Sequence, residues 1–258
     1  MTEQEWLACG DLATLLDFFD GKISERKLRL FLCGCCRRLW HLLVDGRSRI
    51  GVEVAEQYAD GKVPDNVRAT AYAAAQAAYR TIHPTQDPYS PSQDGAAAFV
   101  AAAAAAPGEA FALLGETLTP AGSRYSSVHV LNAAEYAAYC IASCKVGSTV
   151  HAAYCLAFDT ECNEQCRMFR EIIPNPFLLV NLNPFWLMHA PSLLSCHKGT
   201  IPMLAQAVYD NRAFDCLTNL TDALEESGCH DSAILDHCRQ VGEHVRGCWV
   251  LDLLLGKE

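Results

Sequence analysis

Ser24-Glu25-Arg26-Lys27-Leu28-Arg29-Leu30-Phe31-Leu32-Cys33-Gly34-Cys35-Cys36-Arg37-Arg38-Leu39-Trp40-His41-Leu42-Leu43 places its apolar residues at helical spacing. Leu28, Phe31, Leu32, Cys35, Cys36, Leu39, Leu42 and Leu43 recur at i, i+3, i+4 and i+7, which makes one face of a helix apolar along its length. Ser24 stands where the free N–H groups of the first turn need an acceptor. The same period continues on both sides of this stretch, and two-residue alternation is nearly absent. An all-α, bundle-like fold of many helices is therefore expected.

Upstream, a helix is expected over Leu12–Phe19, with Asp11 as N-cap and Gly21 just past its end. Downstream, one follows Ser48, turns Val52, Ala55 and Tyr58 inward and stops at Gly61. Another runs from Asn66 to Ile82 and ends at His83-Pro84, because proline disfavours helix for the residue before it. After a loop, Asp94 caps an alanine-rich helix ending at Pro107, and a short helix over 108–118 follows. Alanine favours helix but buries little apolar area, so this region is expected to be the least firmly packed, a mobile arm. Ser126 or Ser127 opens a long helical region to Ile173, with an interruption near Gly147. Pro174-Asn175-Pro176-Phe177 and Asn183-Pro184-Phe185-Trp186 mark residues 174–191 as an extended, aromatic connector. Helices are then expected over Pro202–Tyr209, Leu217–Glu226, Ser232–Arg239 and Cys248–Leu255, with stops at Gly228 and Gly256.

Of the 258 residues 51% are hydrophobic, ample for a packed core. The expectation is one body over 1–258, made of a basic helical part (1–62), an alanine-rich middle (63–173) and a C-terminal part (174–258) holding the connector and a Cys/His module. A net charge of −10 disfavours nucleic acid and anionic membranes as partners of the whole protein. Met1-Thr2-Glu3-Gln4-Glu5-Trp6 lacks the basic and apolar regions of a secretory signal, and the run Gly95 to Ala106 is too short and too alanine-rich to span a bilayer. These features point to a cytoplasmic protein whose fourteen cysteines are reduced. Charge is uneven: Lys22, Arg26, Lys27, Arg29, Arg37, Arg38, Arg47 and Arg49 face only Glu25 and Asp45 in one stretch, whereas residues 210–236 are strongly acidic. Attraction between the two would pack the basic N-terminal helices against the C-terminal module.

The residues with the strongest site chemistry lie in that module: Cys229, His237, Cys238, His244 and Cys248. Thiolate and imidazole are the donors that zinc collects in tetrahedral sites, which makes these five the candidate metal ligands. His237 and Cys238 are adjacent and diverge on a helix, so at most one of them shares a metal with His244 and Cys248. His244 and Cys248 share a face only if a helix already begins at His244. Gly247-Cys248-Trp249 is similar to the residues around a papain-type nucleophile, which keeps open a cysteine-dependent enzyme using Cys248 or Cys229 with a nearby histidine. Cys33, Cys35 and Cys36 beside Arg37 and Arg38 would be reactive if exposed and inert if buried on the apolar stripe. Cys140 with Cys144 and Cys162 with Cys166 are i, i+4 pairs, read as small core residues. Nucleotide-binding glycine loops, a nucleophile elbow and a haem-attachment motif are all missing.

Two long stretches resemble a large paralogous family of uncharacterised planctomycete proteins. One runs from Trp6-Leu7-Ala8-Cys9 through Gly21-Lys22-Ile23-Ser24-Glu25-Arg26-Lys27-Leu28-Arg29-Leu30-Phe31 to Cys35-Cys36-Arg37-Arg38-Leu39-Trp40-His41-Leu42-Leu43. The other includes Asn175-Pro176-Phe177, Ala213-Phe214-Asp215, His237-Cys238-Arg239 and His244-Val245-Arg246-Gly247-Cys248-Trp249 through Asp252-Leu253-Leu254-Leu255-Gly256-Lys257. The resemblance covers roughly residues 1–62 and 166–258. Where the family commonly has arginine after Asn-Pro-Phe, this chain has Leu178. The resemblance implies no activity, cofactor or catalytic residue. The expected function is a non-enzymatic interaction or scaffold module with a structural zinc site and a protein partner. The alternatives are the cysteine-dependent enzyme and a nucleic-acid contact through Arg26, Lys27, Arg37 and Arg38 of the basic helix.

Overall fold

Ser24 Oγ accepts the backbone N–H of Lys27 at 3.3 Å and opens a helix that buries every residue from Leu28 to Cys36. The computed structural model describes residues 1–19, 22–82, 93–107, 133–135, 137–138, 141–142, 151–181, 200–226, 228–240, 242 and 244–257. Among them there is no strand. In chain order the helices are α1 (Glu3–Ala8), α2 (Leu12–Phe19), α3 (Glu25–Arg38), α4 (Gly46–Ala59), α5 (Asp65–Ile82), α6 (Gln93–Ala105), α7 (His151–Ile172), α8 (Pro176–Asn181), α9 (Thr200–Asn211), α10 (Leu217–Glu226), α11 (Ser232–Arg239) and α12 (Trp249–Leu255). The expected all-α, bundle-like class is what the chain adopts. The expectations for Gly21, for 108–118, for a helix start at Ser126 or Ser127, for Cys140 and Cys144 and for the Trp186 part of the connector lie outside the described residues. No helix among the described residues is long and apolar enough to cross a membrane.

The chain divides into two compact units, one of Ala8–Arg167 and one of Met168–Glu258 together with Met1–Leu7. In the first, α3, α4 and α5 pack around α6. The alanine-rich helix is thus an interior element, with Ala96–Ala98 and Val100–Ala106 buried, and the expectation of a loosely packed arm is overturned. Methyl side chains hold little area each, but they let neighbouring backbones come close. At Gly51 of α4 a Cβ would stand only 3.1 Å from the Cβ of Ala75 and 3.8 Å from the carbonyl oxygen of Ala101. Glycine thus lets the three helices meet closely, since any side chain there would have to push Ala75 back by a few tenths of an ångström.

The C-terminal end of α6 is buried, and a helix end leaves carbonyls without partners. Arg29 Nη1 donates to the oxygen of Ala104 at 2.7 Å and Arg68 Nη1 to that of Ala105 at 2.8 Å. Both guanidinium groups lie near the ring of Tyr58, 5.1 and 5.3 Å from its centre. Cations at the negative end of the helix dipole satisfy its charge as well as its carbonyls. The other arginines of the basic stretch are paired within this unit too. Arg37 meets Glu56 at 3.0 and 2.8 Å, Arg38 meets the fully buried Glu161 at 2.8 and 2.7 Å, and Arg26 reaches Asp60 at 3.3 Å. The start of α4 differs from the expected one: Asp45 caps it through the N–H of Arg47, and Ser48 is buried inside the first turns.

In the second unit Trp6 of α1 is buried against Phe169, with ring centres 6.1 Å apart, and Arg170 Nε donates to the carbonyl of Trp6 at 2.9 Å. Its core joins Tyr209, Leu217, Leu220, Leu224, Ile234 and Leu251. Within the connector expected to be extended, Pro176–Asn181 is a short helix. Proline is preorganised for the first helical position, where its missing N–H costs nothing, and Asn175 Oδ1 caps the turn by accepting the N–H of Phe177 at 3.0 Å. Helices α10 and α11 have the bounds expected from the sequence, and Gly256, at φ +61°, ends α12.

Arg29→Met and Arg68→Met each remove the donor that satisfies a buried carbonyl. Urea unfolding should show each losing about 1–3 kcal/mol of stability, and losses within 0.5 kcal/mol of zero would contradict the capping role.

Candidate metal centre

Four side chains of the second unit converge: Glu171, His237, His244 and Cys248 each offer a donor atom, and these atoms all lie within 4.8 Å of one another. Glu171 is the penultimate residue of α7, in its last turn. His237 sits in the last turn of α11, a helix begun by Asp231, whose carboxylate accepts the N–H groups of Ala233 and Ile234 at 2.9 and 3.2 Å. The chain leaves α11 at Gln240 and turns back through Val245, whose carbonyl accepts the N–H of Cys248 at 3.0 Å. Gly247 makes that turn at φ +93°, a conformation in which a β-carbon is strained. Cys248 is the N-cap of α12. His244 and Cys248 are therefore brought together by a turn, since no helix begins before Trp249.

His237 Nε2 lies 3.2 Å from Cys248 Sγ and 3.3 Å from Glu171 Oε1, and His244 Nδ1 lies 2.5 Å from the same carboxylate oxygen. A tetrahedral zinc ion with bonds of about 2.0–2.3 Å separates its donors by roughly 3.3–3.8 Å. The two His237 distances, 3.2 and 3.3 Å, lie at the short edge of that spacing, and the His244–Glu171 pair has to open by about 1 Å. Glu171, His237 and Cys248 are buried and His244 is partly so. Around them, Trp249 Nε1 donates to His237 Nδ1 at 3.0 Å, and His244 Nε2 is 3.3 Å from the carbonyl oxygen of Gln240.

Burial by itself raises the pKa of the Glu171 carboxyl. The hydrogen bonds from His237 and His244 outweigh it and hold the group below its ordinary value. Burial, reinforced by the nearby Glu171 charge, pushes the Cys248 thiol well up. As metal ligands the two would be anions, and together with two neutral imidazoles they would cancel the charge of a divalent cation, so that no net charge is left buried.

Of the five residues expected to ligate, three meet here and two do not. Cys229 and Cys238 belong to the apolar core beside Leu220, Leu224 and Leu251. Burial pushes the Cys238 thiol up to about 12, and burial raises Cys229 as well. The divergence of adjacent residues on a helix explains why His237 enters the group and Cys238 is left in the core. The fourth donor, Glu171, lies outside the C-terminal Cys/His stretch, far upstream on another helix. The available signal was a carboxylate set among Phe169, Ile172 and Ile173 at a helix C-terminus, where both burial and the helix dipole disfavour negative charge.

Among the described residues the other thiols join no second metal-ligating group. Burial raises Cys35 and Cys36 far above the thiol range despite the nearby arginines, and it pushes Cys162 up to about 11. No family model matches this chain, and neither a curated protein nor a solved structure matches it.

Native protein treated with a chromogenic thiol reagent at neutral pH should label Cys229, Cys238 and Cys248 only at the rate of unfolding. Rapid modification of Cys248, identified by peptide mass, would contradict a buried and protonated sulfur.

Proposed function

We propose that this protein is a non-enzymatic interaction or scaffold module whose C-terminal unit is braced by a structural zinc ion held by Glu171, His237, His244 and Cys248. The observation that carries the reading is the convergence of four donors of three chemical kinds, three of them buried and His244 partly so, from α7, α11 and the turn into α12. Catalytic zinc sites have three protein ligands and an open position for water, whereas four protein ligands close the shell. A mixture of thiolate, imidazole and carboxylate suits zinc better than the harder cations, which prefer oxygen alone. The ion would tie the end of α7 to α11, to the turn after it and to the start of α12. Residues distant in sequence would then be fixed together, and the unit would gain stability by metal linkage.

A protein partner and a reducing, cytoplasmic setting complete the proposal. The described cysteines are free thiols, as a thiolate ligand requires. A net charge of −10 disfavours nucleic acid. The basic α3 lends that alternative little support, since Arg26, Arg37 and Arg38 already pair with Asp60, Glu56 and Glu161. The cysteine-enzyme alternative has one observation in its favour, the 3.2 Å contact of Cys248 with His237. Complete burial of that sulfur counts against it, because a nucleophile must meet its substrate.

Untagged protein purified without chelator should contain about one zinc per chain by elemental analysis. Cys248→Ala and Glu171→Gln should lose the metal and melt at lower temperature, while Cys238→Ala keeps the metal. Folded protein that neither carries zinc nor binds it on titration would overturn the proposal.

A further inference from the structure

The two histidines of the cluster stand differently toward a metal. His244 meets two acceptors, the Gln240 carbonyl at Nε2 and the Glu171 carboxylate at Nδ1, and when Nδ1 serves as the ligating atom its ring proton has the Gln240 carbonyl as acceptor on Nε2. That is the usual outer arrangement of a metal-bound imidazole, whose second nitrogen donates to a carbonyl or carboxylate. His237 is set the other way round. The indole N–H of Trp249 only donates, so His237 Nδ1 holds a lone pair, and the proton of the neutral ring sits on Nε2. Nε2 is the atom that faces Cys248 Sγ and Glu171 Oε1, at 3.2 and 3.3 Å. A nitrogen that carries a proton has no lone pair for a metal.

We propose that Trp249 is a positioning residue that holds His237 in its non-ligating tautomer, so that zinc uptake breaks the indole–imidazole hydrogen bond and Trp249 thereby lowers and reports metal affinity. The inference rests on the reading of Glu171, His237, His244 and Cys248 as metal ligands. The proton count of His237 is unchanged in the step: the proton leaves Nε2 and a proton takes the lone pair of Nδ1, while the Nε2 lone pair turns to the metal. Nδ1–H and the indole N–H are then two donors facing each other, and the indole has to move away. The alternative of keeping the indole bond would need an imidazolate, with a second proton removed from the ring. Trp249 is placed to couple the two events, since it is the first residue of α12, follows the ligand Cys248 directly, and stands edge-on to the His237 ring with centres 5.0 Å apart.

The test is zinc titration against a competing chelator for the wild type and Trp249→Phe, which keeps an aromatic ring and loses the donor. Trp249→Phe should bind zinc roughly three- to tenfold more tightly, the change expected when one net hydrogen bond no longer opposes binding. In the wild type, nitrogen-detected NMR of the His237 ring should switch from an Nε2–H to an Nδ1–H pattern on zinc addition, and the indole N–H signal absent from Trp249→Phe should shift. The NMR readout needs no variant and would not move if Trp249 served packing alone. Equal or weaker zinc affinity in Trp249→Phe, or an unchanged His237 tautomer in zinc-loaded protein, would overturn the Trp249 role and leave the metal site standing. Absence of zinc binding in both proteins would overturn the metal site and this inference with it.

Discussion

Glu171 carries a negative charge into a place that disfavours it twice, through loss of water and through the carbonyl end of α7. Everything around it follows from the need to neutralise that carboxylate. His237 and His244 both direct ring nitrogens at one of its oxygens. To bring them there the chain ends α11, reverses at Gly247 and begins α12 after a residue whose side chain faces the cluster. A solvent-exposed glutamate would impose none of this. A buried one dictates where three other segments can go, which is why the proposed zinc site and the packing of the unit cannot be considered separately.

The unit of Ala8–Arg167 meets the same constraint with the signs reversed. Arg29 and Arg68 are almost fully buried, and the carbonyls at the end of α6 are their acceptors. Without those two cations the alanine helix would end in unsatisfied oxygens inside the protein, and an interior of methyl groups has no other donor to offer. The buried carboxylates Glu56 and Glu161 are matched in turn by Arg37 and Arg38 in two-point contacts. A run of cations that looks like a surface for phosphate when read along the chain is in this way largely an internal framework.

That contrast shows what is legible in the sequence. Helix existence rests on local periodicity and local caps, so α2, α10 and α11 come out with the expected bounds, and Ser24 caps α3 as its position suggests. Burial of polar residues depends on partners far along the chain. The 3.6-residue period cannot tell Arg29, whose acceptor is on α6, from an arginine in water. Alanine misleads for a related reason: its small area argues for weak packing one residue at a time, whereas at Gly51, Ala75 and Ala101 the gain comes from close approach of three helices. In the cluster, His237, His244 and Cys248 announce themselves by residue type. Glu171 is of a common surface type, and only its apolar neighbours hinted at burial.

Residue type also explains why the sequence presents Cys229 and Cys238 alongside the three donors. Cysteine is at once a soft donor and one of the most frequently buried small residues, and spacing alone does not separate the two roles. The separation comes from electrostatics. For the thiols among Leu220, Leu224 and Leu251, burial outweighs the few contacts that would favour an anion, so each stays protonated and packs as a hydrophobe. Cys248 is just as buried and its thiol is raised as well, but it stands against His237 and within the field of Glu171, where a divalent cation would change the sign of the local balance. In the proposed site, two anions and two neutral rings around such an ion would form a closed, uncharged shell. On that reading the same arrangement that braces the unit would leave no open position for a substrate.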